Sequence, residues 1–193
     1  VIRPLNKNSN NFYAEMVLKT LGAEYKGAPG STQAGIEAVG SYLESIGIAK
    51  GSYRMSNGSG LWGETRFSTA QLVKILDAAY RDFKIAPDYV ASLAIAGTDG
   101  TLRSRMKKGA ARGYLKAKTG TLEGASSLSG YVKRRGDDVI AFSILFNEIE
   151  GGAGGAKTAQ SKIGAAIAAY LQVLANEAPS LDAGDDPDGD DSE

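Results

Sequence analysis

Three apolar stretches follow one another between residues 114 and 147, separated by connections too short for a crossover. Tyr114–Thr119, Ser126–Lys133 and Asp138–Asn147 read as strands. The first two are joined through Glu123-Gly124 and the last two through Arg135-Gly136-Asp137. Parallel strands need a dozen or more residues between them, so these must be antiparallel neighbours. From Val139 to Phe146 only Ser143 is polar. A strand apolar on both alternating faces is covered on both sides, which predicts helices against both faces of the sheet.

The rest of the chain supplies those helices. Residues 11–21 read as an amphipathic helix with Phe12, Met16, Val17 and Leu21 on one side and Gly22 placed to end it. Ser31 or Thr32 caps a second, with Ile36, Val39, Leu43 and Ile46 on its apolar face and Gly47 after it. Ser68 with Gln71 three residues on is a capping box, opening a third helix with the stripe Leu72, Ile75, Leu76, Ala79 and Phe83. Pro87 suits the first turn of a short fourth. A long last helix is expected to turn Ile163, Ile167, Tyr170, Leu171 and Leu174 inward. Residues 52–65 and 97–113 read as loops. The fold class is therefore α/β (α+β), an antiparallel sheet with helices on both faces.

Composition limits the chemistry. The 193 residues contain no cysteine and no histidine, which excludes a disulfide framework and a Cys/His zinc site. A Ser-His-Asp triad and a Cys-His pair are excluded with them. A proton acceptor here must be Lys, Asp, Glu or Tyr. The 22 basic and 22 acidic residues balance, but seven of the acids lie between Asp182 and Glu193. Residues 1–181 carry about +7 at neutral pH, compatible with an anionic ligand or with solubility alone. Residues 179–193 are Asp/Gly-rich and read as an acidic disordered tail beyond a domain at 1–178.

Two motifs carry possible chemistry. In "YLKAKTGTLEG", Lys118 and Thr119 can bind a carboxylate, and Gly120 lets a ligand backbone approach the strand carrying Thr121. If that edge is exposed, an extended peptide can add to it as a further strand. In "NKNSNNFYAE", Ser9 and Asn11 stand just before a helix. Taken singly, a solvated lysine with a glycine bulge and an ordinary N-cap explain both stretches as well or better.

Their combination has a narrower reading. Ser-x-Asn, then Lys-Thr-Gly over a hundred residues later, then an apolar strand and a closing helix is the pattern of active-site serine penicillin-recognising enzymes. "SNNFYAEMVLKTLG", "SNGSGL", "TDGTL" and "KAKTGTLEGASSLSGYV" resemble the D-alanyl-D-alanine carboxypeptidase/endopeptidase family of class C penicillin-binding proteins. Asn57 departs from the Asp that family often carries. The resemblance implies that Ser9 and Asn11 form the second motif, for proton relay and substrate positioning. Lys118, Thr119 and Gly120 form the third, with Thr121 beside the oxyanion hole. It implies cleavage of peptidoglycan stem peptides ending in D-Ala-D-Ala through an acyl-serine, capture of β-lactam antibiotics, a periplasmic location, no cofactor, no metal and no nucleic acid.

The family's first motif, Ser-x-x-Lys, is missing where it should stand. No serine precedes Ser9, and Ser104 with Lys107 fits the bare spacing but falls between the other two motifs. The expectation is the C-terminal part of a longer enzyme, whose missing N-terminal segment holds the nucleophile. A chain paired with a separate piece and a non-catalytic peptide-binding relative are the alternatives. A β-lactamase or esterase on the same scaffold is another. In the fragment case the sheet should show an uncovered edge or apolar patch.

Overall fold

A computed structural model describes residues 1–61, 64–133 and 138–177. The Arg135–Asp137 connection and the acidic tail lie outside them. The element order is α1 (Ile2–Asn8), α2 (Asn11–Lys26), α3 (Thr32–Ser45), α4 (Thr69–Arg81), α5 (Ala86–Ser92), β1 (Ala94–Ile95), β2 (Leu115–Leu122), β3 (Ala125–Lys133), β4 (Val139–Phe146) and α6 (Gly154–Glu177).

The strands form an antiparallel sheet in sequence order, β1-β2-β3-β4. Alternation sends Leu115, Ala117, Leu128, Val132 and Phe142 to one face, against Ala168 and Leu171 of α6. The other face carries Tyr131, packed with Leu76 of α4 and Leu93, the residue capping α5. Tyr131 also donates its hydroxyl to the Leu76 carbonyl at 2.6 Å. Helices thus cover both faces.

Local signals hold where side chain and backbone alone decide. Ser31 accepts from Ala34 N–H as the cap of α3. Both bonds of the Ser68–Gln71 capping box are present. Proline stands in the first turn of α5.

The apolar stripes differ from expectation. On α2 the buried residues are Leu18 and Gly22, while Phe12 is 65% exposed and Leu21 43%. Gly22 does not end the helix, which runs on to Lys26. Its role is close approach, since a Cβ there would lie 2.6 Å from the Ser31 carbonyl and 2.8 Å from Gly35 N. Gly35 answers from α3, where a Cβ would meet the Leu18 carbonyl at 2.1 Å. Phe83 falls beyond α4 and is 90% exposed. On α6 the inward side is Gln160, Gly164, Ala168 and Leu171, and Ile163, Tyr170 and Leu174 face outward. Small residues let α6 lie close on the sheet; a Cβ on Gly164 would reach Leu115 Cδ1 at 2.8 Å. Two short elements carried no periodicity to read, α1 and the two-residue β1.

Gly35→Ala tests the α2–α3 contact. A methyl cannot be placed against a backbone carbonyl without moving a helix. We expect a loss of about 1–3 kcal/mol or more, seen as a lower urea midpoint with an unchanged m-value.

Candidate active site

β1 pairs only with Lys116 and Ala117 of β2, so among the described residues the edge of β2 from Lys118 to Leu122 has no strand partner. The Leu115 carbonyl accepts from Ala96 N–H on this side. The two-residue period therefore puts the N–H and C=O groups of Thr119 and Thr121 on the same free edge.

Lys118 leaves the sheet on the face shared with its cross-strand neighbour Ser129. Its ammonium curls to that edge, donating to the Thr119 carbonyl at 2.6 Å and to Ser9 Oγ at 2.7 Å. Two of its three protons are thus committed and one is left for a ligand. The amine is mostly buried and has no carboxylate partner among the described residues. Desolvation lowers its pKa from 10.5 to about 8.

Ser9 is held for this contact. It ends α1 in the left-handed conformation, with φ 55° and ψ 54°. Two residues before it, Lys7 donates to the Leu93 carbonyl at 2.9 Å and forms an ion pair with Asp99 at 2.5 Å. Burial pushes the Asp99 carboxyl up, but the Lys7 bond, the Ile95 N–H and the charges of Lys7 and Arg103 outweigh it, leaving its pKa below the ordinary value. Asn6 donates to Ser92 Oγ at 2.8 Å. Gly100, at φ 55°, lets the Lys7 carbonyl approach where a Cβ would stand 2.6 Å away. Sequence reasoning missed Asn6, Lys7 and Asp99 as a framework, although Asp99 stands inside the "TDGTL" block.

Asn11 begins α2, two residues from Ser9, exposed and with no side-chain hydrogen bond among the described residues. The cap of α2 is Asn10, whose Oδ1 accepts from Tyr13 N–H at 3.0 Å, so Asn11 is not used as a cap. Thr119 projects from the opposite sheet face to Lys118 and donates to Thr101 Oγ1 at 2.8 Å. Thr121 is exposed on that same opposite face. A Cβ on Gly120 would come 2.4 Å from Ser127 Oγ, so this glycine makes room for a hydroxyl of β3.

The 56–61 loop is fastened to α2. Glu15 accepts from Gly58 N–H at 3.2 Å and Ser59 N–H at 2.9 Å, and bonds to Ser59 first of all hold its pKa low. Ser104 and Lys107 are both exposed, in the turns that follow Leu102 rather than at the start of a buried helix. Among the described residues no group of three or more acidic side chains is placed to hold a metal ion.

Comparison with known proteins gives a consistent result. The D-Ala-D-Ala carboxypeptidase 3 (S13) family profile matches residues 1–170. A D-alanyl-D-alanine carboxypeptidase of an Actinomadura species is 38% identical over 152 residues, 76% of this chain and 28% of that protein. Carboxypeptidase DacB of Mycolicibacterium smegmatis is 33% identical over 151 residues, 76% of this chain and 33% of that one. The chain thus spans a third or less of the curated relatives it matches. Among solved structures, penicillin-binding protein 4 of Haemophilus influenzae in complex with a β-lactam superposes with TM-score 0.75 at 24% identity, over 88% of this chain and 40% of that one. A β-lactamase from Streptosporangium roseum superposes with TM-score 0.61 at 22% identity, over 89% and 63%. At those identities the likeness is one of fold.

The buried amine sets a test. Unfolded, Lys118 keeps its proton to about pH 10.5; folded, it loses it near pH 8. Below pH 8 both states hold the proton and the fold bears the whole penalty, on the order of 3 kcal/mol; only between the two values does the unfolded state bind the extra proton. Between pH 8 and 10.5 the penalty fades, so this residue makes stability rise with pH. Urea unfolding at pH 7, 9 and 10 should show that rise relative to Lys118→Met, which lacks it.

Proposed function

Because the chain belongs to the D-Ala-D-Ala carboxypeptidase 3 (S13) family, we propose that it supplies the Ser-x-Asn and Lys-Thr-Gly part of a serine-type D-Ala-D-Ala carboxypeptidase or endopeptidase. The observation that carries this reading is the 2.7 Å bond from Lys118 Nζ to Ser9 Oγ, made across 109 residues of sequence. Two polar groups with no structural need of each other meet at an open strand edge. The substrate is a peptidoglycan stem peptide ending in D-Ala-D-Ala, and β-lactams occupy the same place.

The roles we give these residues are those the family resemblance implies, and the open edge and the Lys118–Ser9 contact support them. An extended peptide adds along the free edge of β2, antiparallel to it. In this reading the Thr121 N–H on that edge donates to the oxyanion of a tetrahedral intermediate. Ser9, hydrogen-bonded to the ammonium, passes a proton between nucleophile and leaving amine. The side-chain amide of Asn11 bonds the substrate backbone. Thr119 and Thr121 offer hydroxyls to the terminal carboxylate.

The acylated serine is not among these residues, since nothing before Ser9 is a serine and Ser104 lies in an exposed turn. The nucleophile and its lysine come from sequence outside this stretch. The uncovered surfaces agree with such a partner. Among the described residues β4 pairs on one side only, and Ile163, Tyr170, Val173 and Leu174 line the outside of α6. We place the protein outside the cytoplasmic membrane, in the periplasm. Among the described residues no helix is long and apolar enough to cross a membrane.

Labelling with a fluorescent penicillin tests the reading. The full-length gene product is expected to be acylated at a serine outside residues 1–193. The 193-residue polypeptide alone should take no label, because losing the nucleophile costs on the order of 10⁶ in rate in one serine protease. Label on Ser9 or Ser104 would overturn this assignment. Acylation should also fall above pH 8 as Lys118 loses its proton, and Lys118→Met should lose most activity at every pH.

A further inference from the structure

On the face of β2 opposite Lys118 lies a groove of about 630 Å³, lined by Thr101, Thr119 and Thr121, by Arg105, and by Lys157 and Ser161 of α6. It holds two cations and several hydroxyls, and no aspartate or glutamate lines it. Arg105 donates from Nε to Ser161 Oγ at 3.0 Å and from Nη2 to the Lys157 carbonyl at 3.0 Å and Gln160 Oε1 at 3.2 Å. All three acceptors are neutral, so the guanidinium is aimed but not neutralised. Its Nη1 has no acceptor among the described residues. Burial without a counter-charge pulls its pKa down.

Gln160 explains how this half-buried charge is fixed. It is fully buried, and it donates to Ser126 Oγ at 3.1 Å while accepting from Arg105. Ser126 is the cross-strand partner of Thr121. The chain Arg105–Gln160–Ser126 therefore ties the guanidinium to the sheet directly across from a hydroxyl on the free edge. A glutamate in place of Gln160 would fasten Arg105 as well, but it would cancel the charge.

We propose that Arg105 and Lys157 supply the positive charge that selects the free C-terminal carboxylate of the acyl donor, with Thr119 and Thr121 as its hydroxyl donors and Gln160 as the positioning residue. This rests on the peptidase reading above and departs from the sequence expectation that Lys118 binds the carboxylate. Lys118 stands on the other face of the strand with its protons on Ser9 and the Thr119 carbonyl. It serves proton transfer, while carboxylate recognition is done from the α6 side.

The test uses the full-length gene product and two peptides, one ending in free D-Ala-D-Ala and the other in its C-terminal carboxamide. The native protein should prefer the free acid. Arg105→Gln should lower kcat/KM for the acid by roughly tenfold to hundredfold, the loss of one charge-assisted hydrogen bond. It should lower the carboxamide rate by much less, because a neutral amide oxygen makes only an ordinary hydrogen bond. Lys157→Gln should act the same way but less, and Arg105→Lys should restore part of the preference. Equal losses on both peptides would reduce Arg105 to a structural tie and overturn the inference, as would a native protein indifferent to the carboxylate. If neither peptide is hydrolysed, the peptidase reading fails, and the inference is judged by calorimetric binding of the two peptides. Acid-selective binding abolished by Arg105→Gln upholds it, and unselective binding overturns it.

Discussion

An ammonium taken out of water must find oxygen atoms, and Lys118 finds them without a carboxylate. Its two acceptors, the Ser9 hydroxyl and the Thr119 carbonyl, compensate a charge only in part, which is why its pKa falls to about 8. An exposed lysine would need no such arrangement. The contact in turn obliges α1 to stop at Ser9 in a left-handed turn and to be clamped from behind. Lys7 on Asp99 and the Leu93 carbonyl, and Asn6 on Ser92, are that clamp. These contacts anchor α1 on α5 and on the turn after β1, and so hold Ser9 against the amine.

The alternation of a β-strand divides the chemistry. Consecutive residues 118 and 119 point to opposite sides of one sheet, so a single tripeptide serves two compartments. The Lys118 side carries Ser9 and the cross-strand serines, with Ser129 and Ser143 bonded at 2.9 Å. The Thr119 side carries Thr101 and the Arg105–Gln160 cluster. A ligand lying on the edge between them is reached from above and below at once. The antiparallel register that fixes this division also fixes Gly120 opposite Ser127 and Thr121 opposite Ser126.

What the sequence revealed and what it hid separate along a physical line. The three-stranded core, the Ser68–Gln71 box and the Ser31 cap were legible because each is decided within a few residues. The pairing of Ser9 with Lys118 was legible through a resemblance, not through any local rule. The faces of α2 and α6 were misread because both helices are apolar on more than one side. Large side chains such as Phe12 and Tyr170 were given the core, yet Gly22, Gly35, Gly164 and Ala168 occupy it. Helices that approach closely bury small residues, and hydrophobic periodicity does not register them. Arg105 falls in a stretch that reads as loop, and no local rule singles it out because its partners lie more than fifty residues away on α6.

The bare side of β4 has a consequence for handling the molecule. Seven of its eight residues are apolar, and among the described residues nothing pairs with its outer ladder of N–H and C=O groups. An unpaired hydrophobic edge of this kind is a template for intermolecular strand addition. Any segment that paired with this edge would act as a solubility device as well as a structural one, and a preparation that leaves the edge open is expected to drift toward cross-β aggregates.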